Sequence, residues 1–157
     1  MRGGAAIVAI CLDRGVSSLY TNVRPLSEGT EGRAAMRCED LTGQIIGAAY
    51  EVHKTLGAGF LEKVYENALA MELEAAGLQV TQQQALPVHY KGRLAGEYFA
   101  DLVVEGKVVV EVKAVSALDP VREVQLVHYL RASGIGVGLL INFGRSVEVK
   151  RRVFDPS

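Results

Sequence analysis

The stretch Gly96–Val115, GEYFADLVVEGKVVVEVKAV, constrains this chain more than any other. Its aliphatic residues run on both sides of Glu105-Gly106-Lys107, the pattern of two strands joined by a tight turn. Asp101, Glu111 and Lys113 interrupt it beside LVV and VVV, where both faces read as buried. Side chains alternate faces along a strand, so Glu111 and Lys113 share one face. The turn decides where Asp101 lies. A two-residue loop at Glu105-Gly106 would pair Asp101 with Val110 and turn it away from Glu111. A three-residue loop, with Gly106 supplying a left-handed conformation, sets Asp101 opposite Glu111.

In the second arrangement the two carboxylates lie about 5 Å apart and repel each other. A cation between them removes that cost, and carboxylate oxygens completed by water suit Mg²⁺ or Mn²⁺. Lys113 would stand beside the ion, able to hold developing negative charge or orient a water. The competing reading is a cross-strand ion pair of Asp101 with Lys113 on a solvated face, with Glu111 a spectator. Buried carboxylates are rarely unpaired, so the aliphatic surroundings favour a site.

Around this hairpin the periodicity predicts a mixed sheet flanked by helices. Asp40 or Thr42 can cap a helix carrying Ile45, Ile46, Ala49, Val52 and Leu56 at helical spacing, ended by Gly57-Ala58-Gly59. A second helix is expected from about Phe60 to Ala76, with Leu61, Val64, Ala68, Met71 and Ala75 as its core stripe. Strands follow at Gln79–Tyr90, Leu94–Val104 and Lys107–Val115. Asp119-Pro120 opens a helix to about Ala132, because proline at the first position sacrifices no hydrogen bond. GVGLLINFG and VEVKRRVF read as a buried strand and a charge-defended edge strand. The order is α-α-β-β-β-α-β-β, an α/β fold of the α+β kind with a mixed sheet.

Composition excludes several classes. About half of the 157 residues are apolar, enough for a sizeable core, and a net charge of −1 advertises no global basic field. Cys11 and Cys38 are too few for a disulfide framework, which suits a reducing cytoplasm. Ala5–Leu12, AAIVAICL, is too short to span a bilayer and lacks a cleavage site, so neither secretion nor membrane insertion is expected.

Asp101, nine intervening residues, then Glu111-Val112-Lys113 resembles the D…(D/E)-x-K signature of the PD-(D/E)XK nuclease superfamily. Upstream, GFLEKVY places Gly59, Glu62 and Tyr65 as G-x-x-E-x-x-Y. With IIGAAYEVHKTLGAGFLEKVYENAL and VGLLINFG, the span from about Leu41 to Phe154 is similar to the prokaryotic GxxExxY protein family, a branch of that superfamily. Ala58 stands where the family often has proline, which bears on loop stiffness. Met36 begins MRCEDLTGQII, similar to the family's usual start. Residues 36–157 therefore read as one domain behind an extension, residues 1–35, poorly ordered or an upstream start, in which Val23–Ala35 reads as loop.

The resemblance implies a restriction-endonuclease-like core and hydrolysis of phosphodiester bonds in nucleic acid, most often DNA. Asp101 and Glu111 would hold Mg²⁺ or Mn²⁺ with Glu62 assisting; Lys113 would orient or help deprotonate the attacking water, with Gln125 positioning it. Glu62 otherwise only complements its helix dipole, and Glu66 at i+4 is mildly unfavourable to it. Tyr65 is either a core aromatic with a tethered hydroxyl or a substrate-side donor. Gln125 and Tyr129, at i and i+4, share one helix side and resemble the Q-x-x-x-Y of an exonuclease-like branch; otherwise they are a solvated Gln and a core-edge Tyr. Arg151 and Arg152, with Lys150 and Arg145, form the one dense basic run, either a solvated edge or a contact to the DNA backbone. His53 and His128 read as structural. Small nucleases of this fold often dimerise, so a homo-oligomer is expected. The competing function is a non-catalytic nucleic-acid- or protein-binding module that retains the nuclease fold.

Overall fold

The order of elements follows from where apolar residues recur and where glycine or proline stops them. The structure, a computed structural model, describes residues 30–155. Ala5–Leu12 and Cys11 lie outside the described residues. Helix α1 (Thr30–Leu56) is followed by α2 (Glu62–Ala75) and strands β1 (Val80–Tyr90), β2 (Arg93–Val104) and β3 (Val108–Lys113). Helix α3 (Pro120–Ser133) then leads to β4 (Val137–Phe143) and β5 (Val147–Val153). The strands form one five-stranded sheet in the order β1-β2-β3-β4-β5. Only β3 and β4 pair in parallel, and α3 is the crossover that a parallel pair requires.

Helices cover both faces of the sheet. On one face Ile45, Ala49 and Val52 of α1 and Tyr65, Leu69 and Leu73 of α2 pack on Leu102, Val104, Val108, Val110, Val112, Leu139 and Ile141. On the other, Leu126, Tyr129 and Leu130 of α3 pack on Val103, Val109 and Leu140. Alternation along β3 therefore sends Val108, Val110 and Val112 to the first layer and Val109 to the second. Helix α3 lies unusually close to β4: a Cβ added at Gly138 would sit 2.8 Å from Leu126 Cδ1 and 3.1 Å from Leu130 Cδ2. Its start is as expected, with Asp119 accepting from the Val121 N–H and Pro120 at the first position.

Three expectations fail. Helix α1 begins at Thr30, so Thr30–Ala35 is helical rather than loop. Nor does Thr42 cap it; its hydroxyl donates back to the Glu39 carbonyl at 3.0 Å, as a mid-helix threonine does. On α2 the buried stripe is Tyr65, Leu69, Ala70 and Leu73, whereas Leu61 is 78% and Met71 67% exposed. Leu61-Val64-Ala68-Met71 and Tyr65-Leu69-Leu73 both satisfy helical spacing, on faces about 100° apart. Among the described residues no helix is long and apolar enough to cross a membrane.

Candidate active site

The β2–β3 turn settles the hairpin. Leu102, Val103 and Val104 pair with Val110, Val109 and Val108, leaving a three-residue loop of Glu105, Gly106 and Lys107. Glu105 and Gly106 adopt φ of 53° and 62°, and Lys107 N–H closes the turn on the Val104 carbonyl at 2.9 Å. Glu105, less suited to that conformation than glycine, is held there: its N–H donates to the Gln79 carbonyl and its carboxylate accepts from the Gln79 N–H. Beyond Leu102 the same register sets Asp101 against Glu111, and there side chains replace the backbone ladder. Val112 N–H donates to Asp101 Oδ2 at 2.8 Å, and Asp101 N–H lies 3.4 Å from Glu111 Oε1.

Burial dominates the electrostatics. Glu111, 4% exposed, is pushed up to about 8 by desolvation and then by the Asp101 charge, with Lys113 opposing. Asp101 is also raised by burial; the Val112 N–H and Lys113 hold it down, while Glu66 and Glu62 push it up. Lys113 Nζ stands 3.8 Å from Glu111 Oε2 and 3.3 Å from Glu62 Oε1. Glu62, in the first turn of α2, is the half-exposed member. Four residues from two sheet strands and one helix, Glu62, Asp101, Glu111 and Lys113, thus converge.

Residues 39–153 of the chain match the family model of the PD-(D/E)XK nuclease superfamily. The chain belongs to that superfamily. No curated protein and no solved structure matches it. PD-(D/E)XK nucleases typically use divalent metal ions. Among the described residues no group of three or more His, Cys, Asp and Glu side chains is arranged to hold one. The pair Asp101–Glu111 fits such an ion by its chemistry: Glu111 is buried, and the adjacent, partly buried Asp101 raises its proton affinity further, a cost that a bound cation would remove.

In this PD-(D/E)XK domain α3 contributes Gln125 and Tyr129. Gln125 Nε2 donates to the Tyr129 hydroxyl at 3.0 Å, and the Tyr129 ring lies 5.1 Å from that of Tyr98 on β2. The Tyr129 phenol is pushed up to about 12 by burial and by the charges of Glu111 and Asp101.

Other expected site residues have different tasks. Tyr65 is fully buried, stacked at 4.6 Å on Phe143. Its hydroxyl donates to the Gly57 carbonyl at 2.6 Å and accepts from the Phe60 N–H at 3.2 Å. That is the core aromatic with a tethered hydroxyl, and no atom remains to meet a substrate. G-x-x-E-x-x-Y is consequently a brace: Gly59, at φ 108°, turns the chain, Tyr65 locks the turn, and Glu62 starts the helix at the site. Arg152 is buried, pairs with Glu123 of α3 and donates to the Arg151 carbonyl; burial lowers its pKa. Arg151 is partly buried, with its Nε enclosed and without a hydrogen-bond partner. A basic run on an edge strand reads as surface, but here α3 covers one side of it, so Arg152 is unavailable to a phosphate backbone. His53 Nε2 lies 3.0 Å from the Gly144 carbonyl and ties α1 to the β4–β5 turn.

Sequence reasoning missed the group beside Asp101. Glu66 of α2 is buried and accepts from Lys63 Nζ at 2.6 Å, Gln82 Nε2 at 3.2 Å and Gln83 Nε2 at 3.0 Å. The signal was a charged residue one helical turn after Glu62, facing a strand with three successive glutamines.

Proposed function

We propose that this protein is a divalent-metal-dependent nuclease that hydrolyses phosphodiester bonds of DNA, with Asp101 and Glu111 holding Mg²⁺ or Mn²⁺ and Glu62 assisting. The observation that carries this is the opposition of Asp101 and Glu111 with Lys113 Nζ 3.8 Å from Glu111. A bound divalent cation would supply Lewis acidity, acidifying a water and offsetting phosphate charge. Lys113 donates to the attacking water or to a phosphate oxygen, its charge aimed in advance at the place where negative charge grows. The water oxygen bonds to phosphorus, the P–O bond to the leaving strand breaks, and the water's proton is passed on as the leaving oxygen gains one. Gln125 and Tyr129, bonded to each other at the α3 side, steady the substrate strand near Glu111. The GxxExxY resemblance is compatible with this reading.

The test is cleavage of single- and double-stranded DNA by the purified protein with Mg²⁺, Mn²⁺ or chelator. Wild type should cut only with metal, and Lys113→Ala should lose about 10²–10³-fold in rate, the scale of one lost electrostatic donor. Equal cleavage by both proteins would sink the assignment. A binding module that retains the fold is the second reading, favoured by the inward engagement of Arg152 with Glu123, which removes a cation from the basic edge. Calorimetry separates them: no Mn²⁺ binding at millimolar concentration, with or without DNA, supports the module.

A further inference from the structure

Gln83 departs from its strand. It sits inside β1 with φ of 51°, although it is not glycine, and the pairing with β2 passes it by: Gln82 faces Leu102 and Gln84 faces Ala100. Its skipped partner in that register is Asp101. A side chain in the left-handed region persists only where its surroundings hold it there. Here the holding contacts are hydrogen bonds. Gln83 Nε2 lies 3.0 and 3.1 Å from the two oxygens of Glu66 and 3.4 Å from Asp101 Oδ1. An amide NH₂ has two protons, one for each carboxylate. Glu66 itself is buried and anchored by Lys63 and Gln82.

Asp101 is therefore gripped through both oxygens, Oδ2 by the Val112 N–H at 2.8 Å and Oδ1 by Gln83. Once Glu111 gives up its proton, as cation binding requires, Asp101 and Glu111 left alone would swing apart, because like charges repel. A neutral donor resists that motion without cancelling the charge, whereas a lysine or arginine in its place would compete with a cation for the same oxygen. We infer that Gln83 is a positioning residue for Asp101, with Glu66 as its fixed anchor, and that the left-handed backbone exists to aim this amide at both carboxylates. Its value to the site rests on the nuclease reading; the contact itself does not.

The variants separate the side chain from the backbone. Asn tolerates the left-handed region as well as any non-glycine residue but is one methylene too short to bridge Glu66 and Asp101. Gln83→Asn should fold normally, bind Mn²⁺ about tenfold or more weakly by calorimetry, the scale of a lost outer-shell contact, and cleave more slowly at saturating metal. Glu66→Gln keeps an acceptor oxygen for Gln83 and should stay close to wild type, whereas Glu66→Ala should behave like Gln83→Asn. A metal-free readout accompanies these: urea midpoints in chelator for Gln83→Asn, Asp101→Ala and the double variant should be non-additive. Where Asp101→Ala fails to fold, slowed water exchange of the Gln83 NH₂ protons by NMR in the wild type reports the same contact. Wild-type Mn²⁺ affinity in Gln83→Asn, additive midpoints, or freely exchanging NH₂ protons would each overturn the inference. If the wild type neither binds Mn²⁺ nor cuts, the nuclease reading falls, and additivity in chelator alone decides the contact.

Discussion

Replacing Glu111 by Gln isolates the cost of holding a carboxylate between burial and Asp101. The side chain titrates at 4.5 when free and at about 8 in the fold. Between those values the folded protein holds a proton that the unfolded chain has released, so stability falls as pH rises, by about 1.4 kcal/mol per pH unit. Below pH 4.5 there is no penalty; above about pH 8 it is complete, at an upper limit of about 5 kcal/mol. Gln resembles the neutral acid in shape, keeps an oxygen for the Asp101 N–H and never ionises. Urea unfolding in chelator from pH 5 to pH 8.5 reads the difference directly, since every other titrating group is common to both proteins. The two should differ by no more than about 1 kcal/mol near pH 5, and Glu111→Gln should lead by at least about 2 kcal/mol at pH 8. Parallel curves, or a wild-type lead at pH 8, would refute the reasoning. A corollary follows for the loaded protein: a cation must displace the proton of Glu111, so Mn²⁺ binding at pH 7 should release one, seen as a binding heat that changes with the buffer's own ionisation heat.

Above about pH 8, where Glu111 is ionised, Asp101→Asn keeps an oxygen for the Val112 N–H while removing one of two repelling charges, so its melting temperature in chelator should hold or rise and its metal-induced rise should shrink; a clearly lower melt in chelator with the metal response intact would make the carboxylates structural. Tyr65→Phe keeps the stack on Phe143 but strands the Gly57 carbonyl, and should cost about 1–3 kcal/mol by urea unfolding. The same variant should lower cleavage, because the turn that presents Glu62 loses its lock; unchanged cleavage would detach the brace from the site. Gly138→Ala drives a methyl into Leu126 and Leu130 beneath α3 and should cost about 1–3 kcal/mol by the same measurement, whereas a neutral result would mean that α3 can back away from β4.

Local chemistry made the hairpin legible. Alternation put Glu111 and Lys113 on one face, because a strand's period is two, but Gly106 suits either loop length, and the observed pairing of Leu102 with Val110 decided that Asp101 stands opposite Glu111. Asp119-Pro120 likewise declared the start of α3, since a cap bonds its own helix. What lay beyond local reach was the choice of partner. Two apolar stripes on α2 satisfy the same period, and only the shape of the sheet beneath selects Tyr65, Leu69 and Leu73 over Leu61, Val64 and Met71. A tyrosine three residues after Glu62 carries no sign that its hydroxyl will be spent on Gly57. Arg152 reads as a solvated cation until α3 brings Glu123 over it, and Glu66 reads as a mild repulsion on its helix until β1 brings Gln82 and Gln83 to it. Each of these is a contact between residues distant in the chain, and its free energy depends on packing that no local window contains.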